Sequence, residues 1–164
     1  VPSAVDAGEG RILITGAYNA GAAMIKIEKK TDDSYGVTEL YKTIEFGAHT
    51  QPPILHDGYF YVQYTTNERR DGLVCMSMDG KIMWKTSRSP AFSKGGMILA
   101  DGLILATDGS TKLYLIEPDP SAFKPLATAE LLGDGNQNWA AMALSDGKLL
   151  IRDQSRLKCV KVAQ

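Results

Sequence analysis

The chain has 164 residues, 44% of them hydrophobic, which is enough for one compact domain with an apolar core. Its 18 basic and 19 acidic residues leave a formal net charge of −1, so we expect neither a nucleic acid nor an anionic membrane as partner. No apolar run approaches the roughly 18 residues of a transmembrane helix, and we expect no membrane span.

Turns are frequent, because 16 glycines and seven prolines are spread along the chain. The first group of predicted strands covers residues 3–5, 12–15, 22–27 and 37–43. The second group covers residues 53–56, 59–62, 73–78 and 81–86. Asp57-Gly58 and Asp79-Gly80 each separate two strands of the second group. An Asp-Gly pair between apolar segments predicts a two-residue hairpin, because both turn positions need a positive φ.

The same arrangement returns twice more. The third group of strands covers residues 97–100, 103–106, 113–116 and 124–127, with Asp101-Gly102 in its first turn. The fourth covers residues 141–144, 148–151 and 157–160, with Asp146-Gly147 in its first turn. A fourth strand is not predicted in this last group, which therefore differs from the others.

These turns define an internal repeat. Asp57, Asp101 and Asp146 follow one another at intervals of 44 and 45 residues, and a degenerate copy, Glu9-Gly10, lies 48 residues before Asp57. A period near 45 is typical of β-propeller blades of four antiparallel strands. We therefore predict an all-β partial propeller, one domain over 1–164, with about four blades at 1–43, 52–86, 95–128 and 139–164. An ordinary all-β sandwich is the alternative.

The outermost strands of the first two blades also align. Leu40-Tyr41-Lys42-Thr43 matches Met83-Trp84-Lys85-Thr86 in spacing and in the position of a large aromatic residue. An aromatic side chain in an outer strand buries a large area when it lies across a neighbouring sheet. We expect Tyr41 and Trp84 to pack in this way.

One copy of the repeat carries a fuller motif, a Leu-x-Cys strand that leads into Gly80-Lys81-x-x-Trp84. This pattern resembles the pyrroloquinoline-quinone (PQQ)-like propeller repeat family. That family includes quinoprotein dehydrogenases and the propeller lipoprotein of the outer-membrane assembly machinery, which has no cofactor. The resemblance implies a periplasmic, cell-surface or secreted location.

Propellers of this kind have roughly six to eight blades, more than the four predicted here. We therefore expect the chain to be a C-terminal fragment of a longer propeller. An open end would expose apolar blade surface to water, which is costly. Either the missing N-terminal half of the propeller or a second copy in a homodimer would cover it.

Cys75 and Cys159 stand at matching positions of third strands, two blades apart, which is too far for a disulfide. We expect both to be small core side chains. Since no two cysteines are adjacent, the cysteine ring of quinoprotein dehydrogenases is absent, and we predict no cofactor. PQQ and calcium belong only to the dehydrogenase alternative.

No catalytic or metal site is predicted. His49 and His56 are seven residues apart, and neither helix nor strand spacing brings such a pair together as ligands. His56 is expected to hydrogen-bond at its turn. Residues 134–138 imitate the start of an EF-hand loop, but the match fails at Trp139 and at Ser145, so we predict a polar loop. The charged run 68–71 is interpreted as a solvated loop tip.

The longer connections should share the end of the blades opposite the Asp-Gly turns, where ligands usually bind. The candidate ligand-face residues at that end are Tyr18, Asn19, His49, Gln51, Lys94, Asn138 and Trp139. The rings of Tyr18 and Trp139 would stack on a sugar or grip a peptide. Packing of Trp139 between blades is an equal alternative.

These features predict a non-enzymatic propeller scaffold that binds a protein or extended ligand through its long-loop face or a blade edge. One alternative is half of a PQQ-dependent, dehydrogenase-like quinoprotein whose catalytic groups lie outside the chain. Another is a carbohydrate-binding propeller, which rests on Tyr18 and Trp139 alone.

Overall fold

The computed structural model describes residues 2–66, 69–133 and 137–162, and these form four antiparallel sheets in chain order. Sheet 1 contains β1 (Val5–Asp6), β2 (Arg11–Gly16), β3 (Gly21–Lys29) and β4 (Tyr35–Thr43). Sheet 2 contains β5 (Ile54–His56), β6 (Tyr59–Thr65), β7 (Arg70–Ser77) and β8 (Ile82–Lys85). Sheet 3 contains β9 (Met97–Ala100), β10 (Leu103–Thr107), β11 (Lys112–Glu117) and β12 (Lys124–Glu130). Sheet 4 contains β13 (Ala143–Ser145), β14 (Lys148–Arg152) and β15 (Leu157–Lys161).

Each sheet is a meander, because its neighbouring strands are consecutive in the chain. The predicted hairpins at Asp57, Asp101 and Asp146 are confirmed, with φ values of 47°, 49° and 49° at the aspartates and a positive φ at each following glycine. The prediction of two positive φ values was wrong for Asp79-Gly80, where only Gly80 has a positive φ and Ser77 bonds to Lys81 around the turn. The prediction for the first strand was wrong, since β1 covers Val5–Asp6 rather than 3–5. Within the described ranges, no helix has the length and hydrophobicity that crossing a membrane requires.

The sheets stack face against face, which excludes the two-layer sandwich. Successive side chains of a strand point to opposite faces, and in β6 Phe60 packs with sheet 1 whereas Tyr61 packs with sheet 3. In β10, Ile104 packs with sheet 2 and Leu105 with sheet 4. The inner sheets thus bury both faces, as blades do, and the all-β prediction of propeller-type blades is confirmed.

The outer aromatic residues lie across the next sheet, as predicted. The Trp84 indole N–H donates to the Asp119 carbonyl at 2.8 Å, and its ring lies 6.0 Å from that of Phe123 in the β11–β12 loop. Tyr41 reaches sheet 2 so closely that a Cβ on Gly80 would lie 2.8 Å from its ring. These contacts join sheet 1 to sheet 2 and sheet 2 to sheet 3 at their outer edges.

The two end sheets each have an open outer face. Ile14 on sheet 1 is 46% exposed and Leu150 on sheet 4 is 41% exposed. Three apolar clusters lie between successive sheets, and none of the described clusters joins sheet 4 to sheet 1.

The prediction that both cysteines are core side chains was wrong for one of them. Cys75 is buried as expected, but Cys159 is exposed, because its side chain points to the open face of sheet 4.

The prediction of a solvated loop tip at 68–71 was wrong for two residues. Arg69 and Asp71 are a half-buried ion pair with Nε–Oδ2 at 2.7 Å, and Arg69 lies over the Tyr64 ring at 5.5 Å. Arg69 and Asp71 are therefore packed rather than solvated, whereas Arg70 is exposed as predicted, and Glu68 lies outside the described residues.

Candidate ligand-binding face on the long loops

Four of the predicted ligand-face residues, supplied by four different loops, meet opposite the Asp-Gly turns. The ring centres of Tyr18 and His49 are 4.7 Å apart in an edge-on arrangement, and those of His49 and Trp139 are 6.5 Å apart. The Lys94 Nζ atom lies 4.3 Å from the centre of the Trp139 ring, which is a cation–π contact. We call Tyr18, His49, Lys94 and Trp139 the aromatic cluster.

Tyr18 is the most exposed member of the cluster. It lies in the β2–β3 turn with a φ of 51°, next to Asn19 with a φ of 63°. A left-handed conformation is uncommon for a bulky residue, and here it leaves the Tyr18 side chain 72% exposed. The turn therefore presents an aromatic ring to solvent on top of His49.

A buried amide supports the Lys94 loop from below. The Gln63 side chain is 5% exposed; its Nε2 donates to the Thr107 carbonyl at 2.6 Å and its Oε1 accepts from the Gly95 N–H at 2.8 Å. The Thr50 hydroxyl donates to the Lys94 carbonyl at 3.1 Å. These bonds hold the Lys94 backbone against both neighbouring sheets.

Trp139 is positioned by the residue that precedes it. Asn138 is buried, its side-chain amide donates to the Ser110 carbonyl at 2.6 Å, and its backbone N–H donates to the Gly109 carbonyl at 3.1 Å. Asn138 therefore ties the Trp139 loop to the backbone at Gly109 and Ser110. Trp139 is half-buried against Lys94 and His49, at the loop end of the blades.

The two remaining candidates flank the cluster. Asn19 is exposed in the same turn as Tyr18, and Gln51 is half-buried two residues after His49. His56, by contrast, belongs to the opposite end, where its Nε2 lies 3.4 Å from the Asp57 carboxylate. The two histidines are thus separated by the length of the blade.

The surroundings of His49 favour its neutral form. Burial, and then the positive charge of Lys94, lower the pKa of His49 from its ordinary value. Its Nδ1 atom is buried and accepts or donates no hydrogen bond among the described residues. The cluster thus contains one polar atom with unused hydrogen-bonding capacity.

Two cavities open on the same end of the blades. One of about 250 Å³ lies beside Trp139, and its polar lining residues are Gln137, Asn138, Arg152, Asp153 and Gln154. The other, of about 640 Å³, has the lining residues Thr65, Arg70, Ser87, Arg88, Ala91, Phe92, Ser93, Asp108 and Ser110. The aromatic cluster therefore lies in a broader surface with polar hollows.

Two features of this face were missed in the sequence. Gln63 is the one amide side chain in the otherwise apolar and aromatic segment 59–64. This polar residue in a buried strand was the sequence signal for a buried hydrogen-bonding role. The presence of both Arg70 and Arg88 in the lining of the larger cavity has no sequence signal, because Arg70 begins β7 and Arg88 lies in the β8–β9 loop.

Metal ligation is the one chemistry for which the described residues can be surveyed as a set. No group of three or more histidine, cysteine or acidic side chains among them is arranged to hold a metal ion. Residues 134–136 of the EF-hand-like segment lie outside the described residues. In the described part of that segment, the Asn138 side-chain amide donates to the Ser110 carbonyl. His49 itself lies against the rings of Tyr18 and Trp139, and the positive charge of Lys94 acts on it.

Comparison with known proteins adds similarities of fold only. No protein-family model matches the chain, and no curated protein is similar to it in sequence. Glutaminyl cyclase from Myxococcus xanthus is 13% identical with a TM-score of 0.48, over 93% of this chain and 62% of that one. The computationally designed Ika8 protein is 7% identical with a TM-score of 0.47, over 89% of this chain and 53% of that one. The chain spans less than two thirds of the length of either structure.

Proposed function

We propose that the chain is a non-enzymatic propeller scaffold that binds an extended segment of a partner protein on its long-loop face. The observation that carries this proposal is the aromatic cluster, in which four loops meet: Tyr18 contacts His49, His49 contacts Trp139 and Trp139 contacts Lys94, at 4.7, 6.5 and 4.3 Å. Convergence from separate loops on rigid sheets is how scaffolds build binding sites.

The chemistry of the cluster suits a peptide with an acidic and an apolar residue close together. Exposed tyrosine and tryptophan side chains provide contact area at low conformational cost and are enriched at binding hot spots. Lys94, whose Nζ atom lies 4.3 Å from the centre of the Trp139 ring, supplies a positive charge for a carboxylate next to an aromatic surface. The two cavities, one lined by Trp139 itself and one by Ser93 next to Lys94, leave room for an extended chain to continue across the face.

The PQQ-like repeat supports the scaffold interpretation. The Gly80-Lys81-x-x-Trp84 motif resembles the repeat of the PQQ-like propeller family. In this chain the Trp84 indole N–H donates to the Asp119 carbonyl, so the motif joins sheet 2 to sheet 3. Members of the family without cofactor serve as binding scaffolds, and the resemblance also supports a periplasmic, cell-surface or secreted location. Fold alone does not determine function, so the proposal depends on the cluster.

Selection from a display library of short random peptides tests the proposal. Labelled peptides that are selected on the wild-type chain should lose about tenfold in affinity, measured by fluorescence anisotropy, on Tyr18→Ala or Lys94→Ala substitution. Tyr35→Ala is the matched control, because Tyr35 is 68% exposed but lies on β4 near the opposite end. The Tyr35→Ala variant should bind the selected peptides with the same affinity as the wild type.

Two outcomes would contradict the proposal. Selected peptides that bind equally well after Tyr18→Ala and Lys94→Ala would place peptide binding elsewhere on the chain. Binding of free oligosaccharides at the cluster, with no peptide selected, would instead support the carbohydrate-binding alternative.

A further inference from the structure

The larger cavity at the long-loop end lies between the two inner sheets. It has a volume of about 640 Å³, and its lining residues come from the ends of β6 and β7, the β8–β9 loop and the β10–β11 loop. Sheets 2 and 3 each have four strands, and each packs against a neighbouring sheet on both of its faces. Seven of the nine lining residues have polar or charged side chains, the exceptions being Ala91 and Phe92, so the cavity suits a hydrophilic ligand.

The β8–β9 loop forms a fixed wall of this cavity. The Ser93 N–H donates to the Asp108 carbonyl at 2.9 Å, which ties the loop to the end of β10 in sheet 3. The Thr65 hydroxyl donates to the Phe92 carbonyl at 2.6 Å, which ties the loop to sheet 2. A loop that is already held in place loses little conformational entropy when a ligand binds.

Two arginines line the cavity. Arg70 begins β7 and Arg88 lies in the β8–β9 loop, and both residues are exposed. Neither arginine forms an ion pair with an acidic side chain of the described residues, and Asp71, next to Arg70, is paired with Arg69 at 2.7 Å and with Lys85 at 3.6 Å. A guanidinium group is planar and donates two parallel hydrogen bonds to the oxygens of a phosphate. Two guanidinium groups in one cavity therefore favour a phosphate over a neutral ligand.

The lining also includes the Asp108 carboxylate. Its Oδ1 atom accepts from the Ser110 and Lys112 N–H groups at 2.7 and 3.2 Å, and these bonds stabilise its negative charge. A carboxylate only accepts hydrogen bonds, whereas the hydroxyls of Ser87 and Ser93, which line the same cavity, both donate and accept. The cavity therefore suits an anion that also carries hydroxyl groups of its own, as a phosphorylated sugar does.

We propose that this cavity binds a small phosphorylated sugar. The phosphate of the ligand contacts the guanidinium groups of Arg70 and Arg88, and its hydroxyl groups bond to Asp108 and Ser93. A cavity of about 640 Å³ lies within the range of small-molecule sites, roughly 300–1,000 Å³. The site uses none of the four residues of the aromatic cluster, so it does not depend on the proposed peptide binding.

Isothermal titration calorimetry of the whole chain with glucose 6-phosphate tests the proposal. At constant ionic strength this probe should bind saturably, with one site per chain. Inorganic phosphate should bind about tenfold more weakly, because it lacks the hydroxyl groups that Asp108 and Ser93 contact. Glucuronate, a sugar with a carboxylate instead of a phosphate, should also bind about tenfold more weakly, because it carries less negative charge for the two arginines. Glucose alone should give no measurable heat.

Matched substitutions locate the site. Arg70→Gln and Arg88→Gln should each lower the affinity for glucose 6-phosphate by about tenfold, because each removes a charged donor to the phosphate. Arg156→Gln removes the same charge from an exposed position in the β14–β15 loop, at the same end of the blades, and should leave the affinity unchanged. Arg88→Lys keeps the charge but loses the planar donor pair, so its loss of affinity should be smaller than that of Arg88→Gln. Since Arg70 and Arg88 are exposed, the variants should remain folded, which circular dichroism checks.

The proposal is overturned if glucose 6-phosphate fails to bind at millimolar concentrations, or if Arg156→Gln weakens its binding as much as Arg70→Gln does, which would indicate attraction by net charge alone. Equal affinities for glucose 6-phosphate and inorganic phosphate would also overturn it, because the sugar would then make no contact. Tyr18→Ala, which should weaken peptide binding, should leave the binding of glucose 6-phosphate intact. A loss on Tyr18→Ala would instead place the sugar on the aromatic cluster.

Discussion

Cys75 on β7 and Cys159 on β15 occupy equivalent positions, yet the first is buried and the second is exposed. Cys75 lies opposite Tyr61 and Cys159 lies opposite Leu150, each in the middle of its sheet. Both side chains point towards the following sheet. Sheet 3 covers Cys75, whereas no described sheet covers Cys159.

A thiol reagent should therefore distinguish the two cysteines. Burial raises the pKa of Cys75 to about 11, so near pH 8 this residue is an inaccessible neutral thiol, whereas thiolate is the reactive form. We expect one fast-reacting thiol per folded chain with a disulfide reagent, identified as Cys159 by mass spectrometry. Cys159→Ser should abolish the fast reaction, and equal rates at both sites would contradict the stacking of sheets 2 and 3.

Trp84→Phe should destabilise the fold by about 1–2 kcal/mol, because it removes the indole N–H that the Asp119 carbonyl accepts. Urea unfolding gives the free energy. Trp139→Phe makes the same chemical change on a loop and should cost about 0.5 kcal/mol or less. Equal costs would mean that the Trp84 contact does not join the blades.

Gly80→Ala should cost more stability than Gly58→Ala. Both glycines have positive φ, 84° and 80°, so both substitutions carry a backbone cost of about 1 kcal/mol. Only at Gly80 would the added Cβ meet the Tyr41 ring, whereas the space at Gly58 is open. We expect a difference of about 1–2 kcal/mol in urea unfolding, and it should shrink in a Tyr41→Leu background.

Gln63→Leu should destabilise the chain by about 2–3 kcal/mol, because the Gly95 N–H and the Thr107 carbonyl lose their buried partner. Gln51→Leu is the control, a half-buried glutamine on a loop, and should be close to neutral. The Gln63 variant should also weaken peptide binding at the aromatic cluster, since it releases the loop that carries Lys94. Unchanged stability would show that the amide is not a structural clamp.

His49 should make stability depend on pH below neutrality. Its pKa in the folded chain is lowered from 6.5, so the unfolded chain binds more protons as the pH falls through that range. The contribution is fully present above pH 6.5 and is lost as the pH falls towards the folded pKa. Urea unfolding at pH 7.5 and pH 5 should show a smaller loss for His49→Gln than for the wild type. Lys94→Ala should also reduce the loss, because it removes one cause of the lowered pKa.

Much of the long-loop face followed from local pattern. The Asp-Gly turns place the longer connections together at the other end, and Tyr18, His49, Lys94 and Trp139 meet there. The role of Asn138 did not follow, because its partners Gly109 and Ser110 are far away in the chain. A sequence pattern assigns a residue to a loop but does not show whether it faces a ligand or a neighbouring backbone.

Strand alternation and the positive φ of the Asp-Gly turns are properties of a few adjacent residues, so the sequence by itself determined the strands, the hairpins and the repeat. The tertiary structure decided which side chains are buried, because burial depends on what lies opposite. Arg69 and Asp71 are packed because Tyr64 lies beneath the arginine, and Cys159 is exposed because nothing described covers its face. Contacts between sheets join residues about one repeat apart, and no local pattern encodes them.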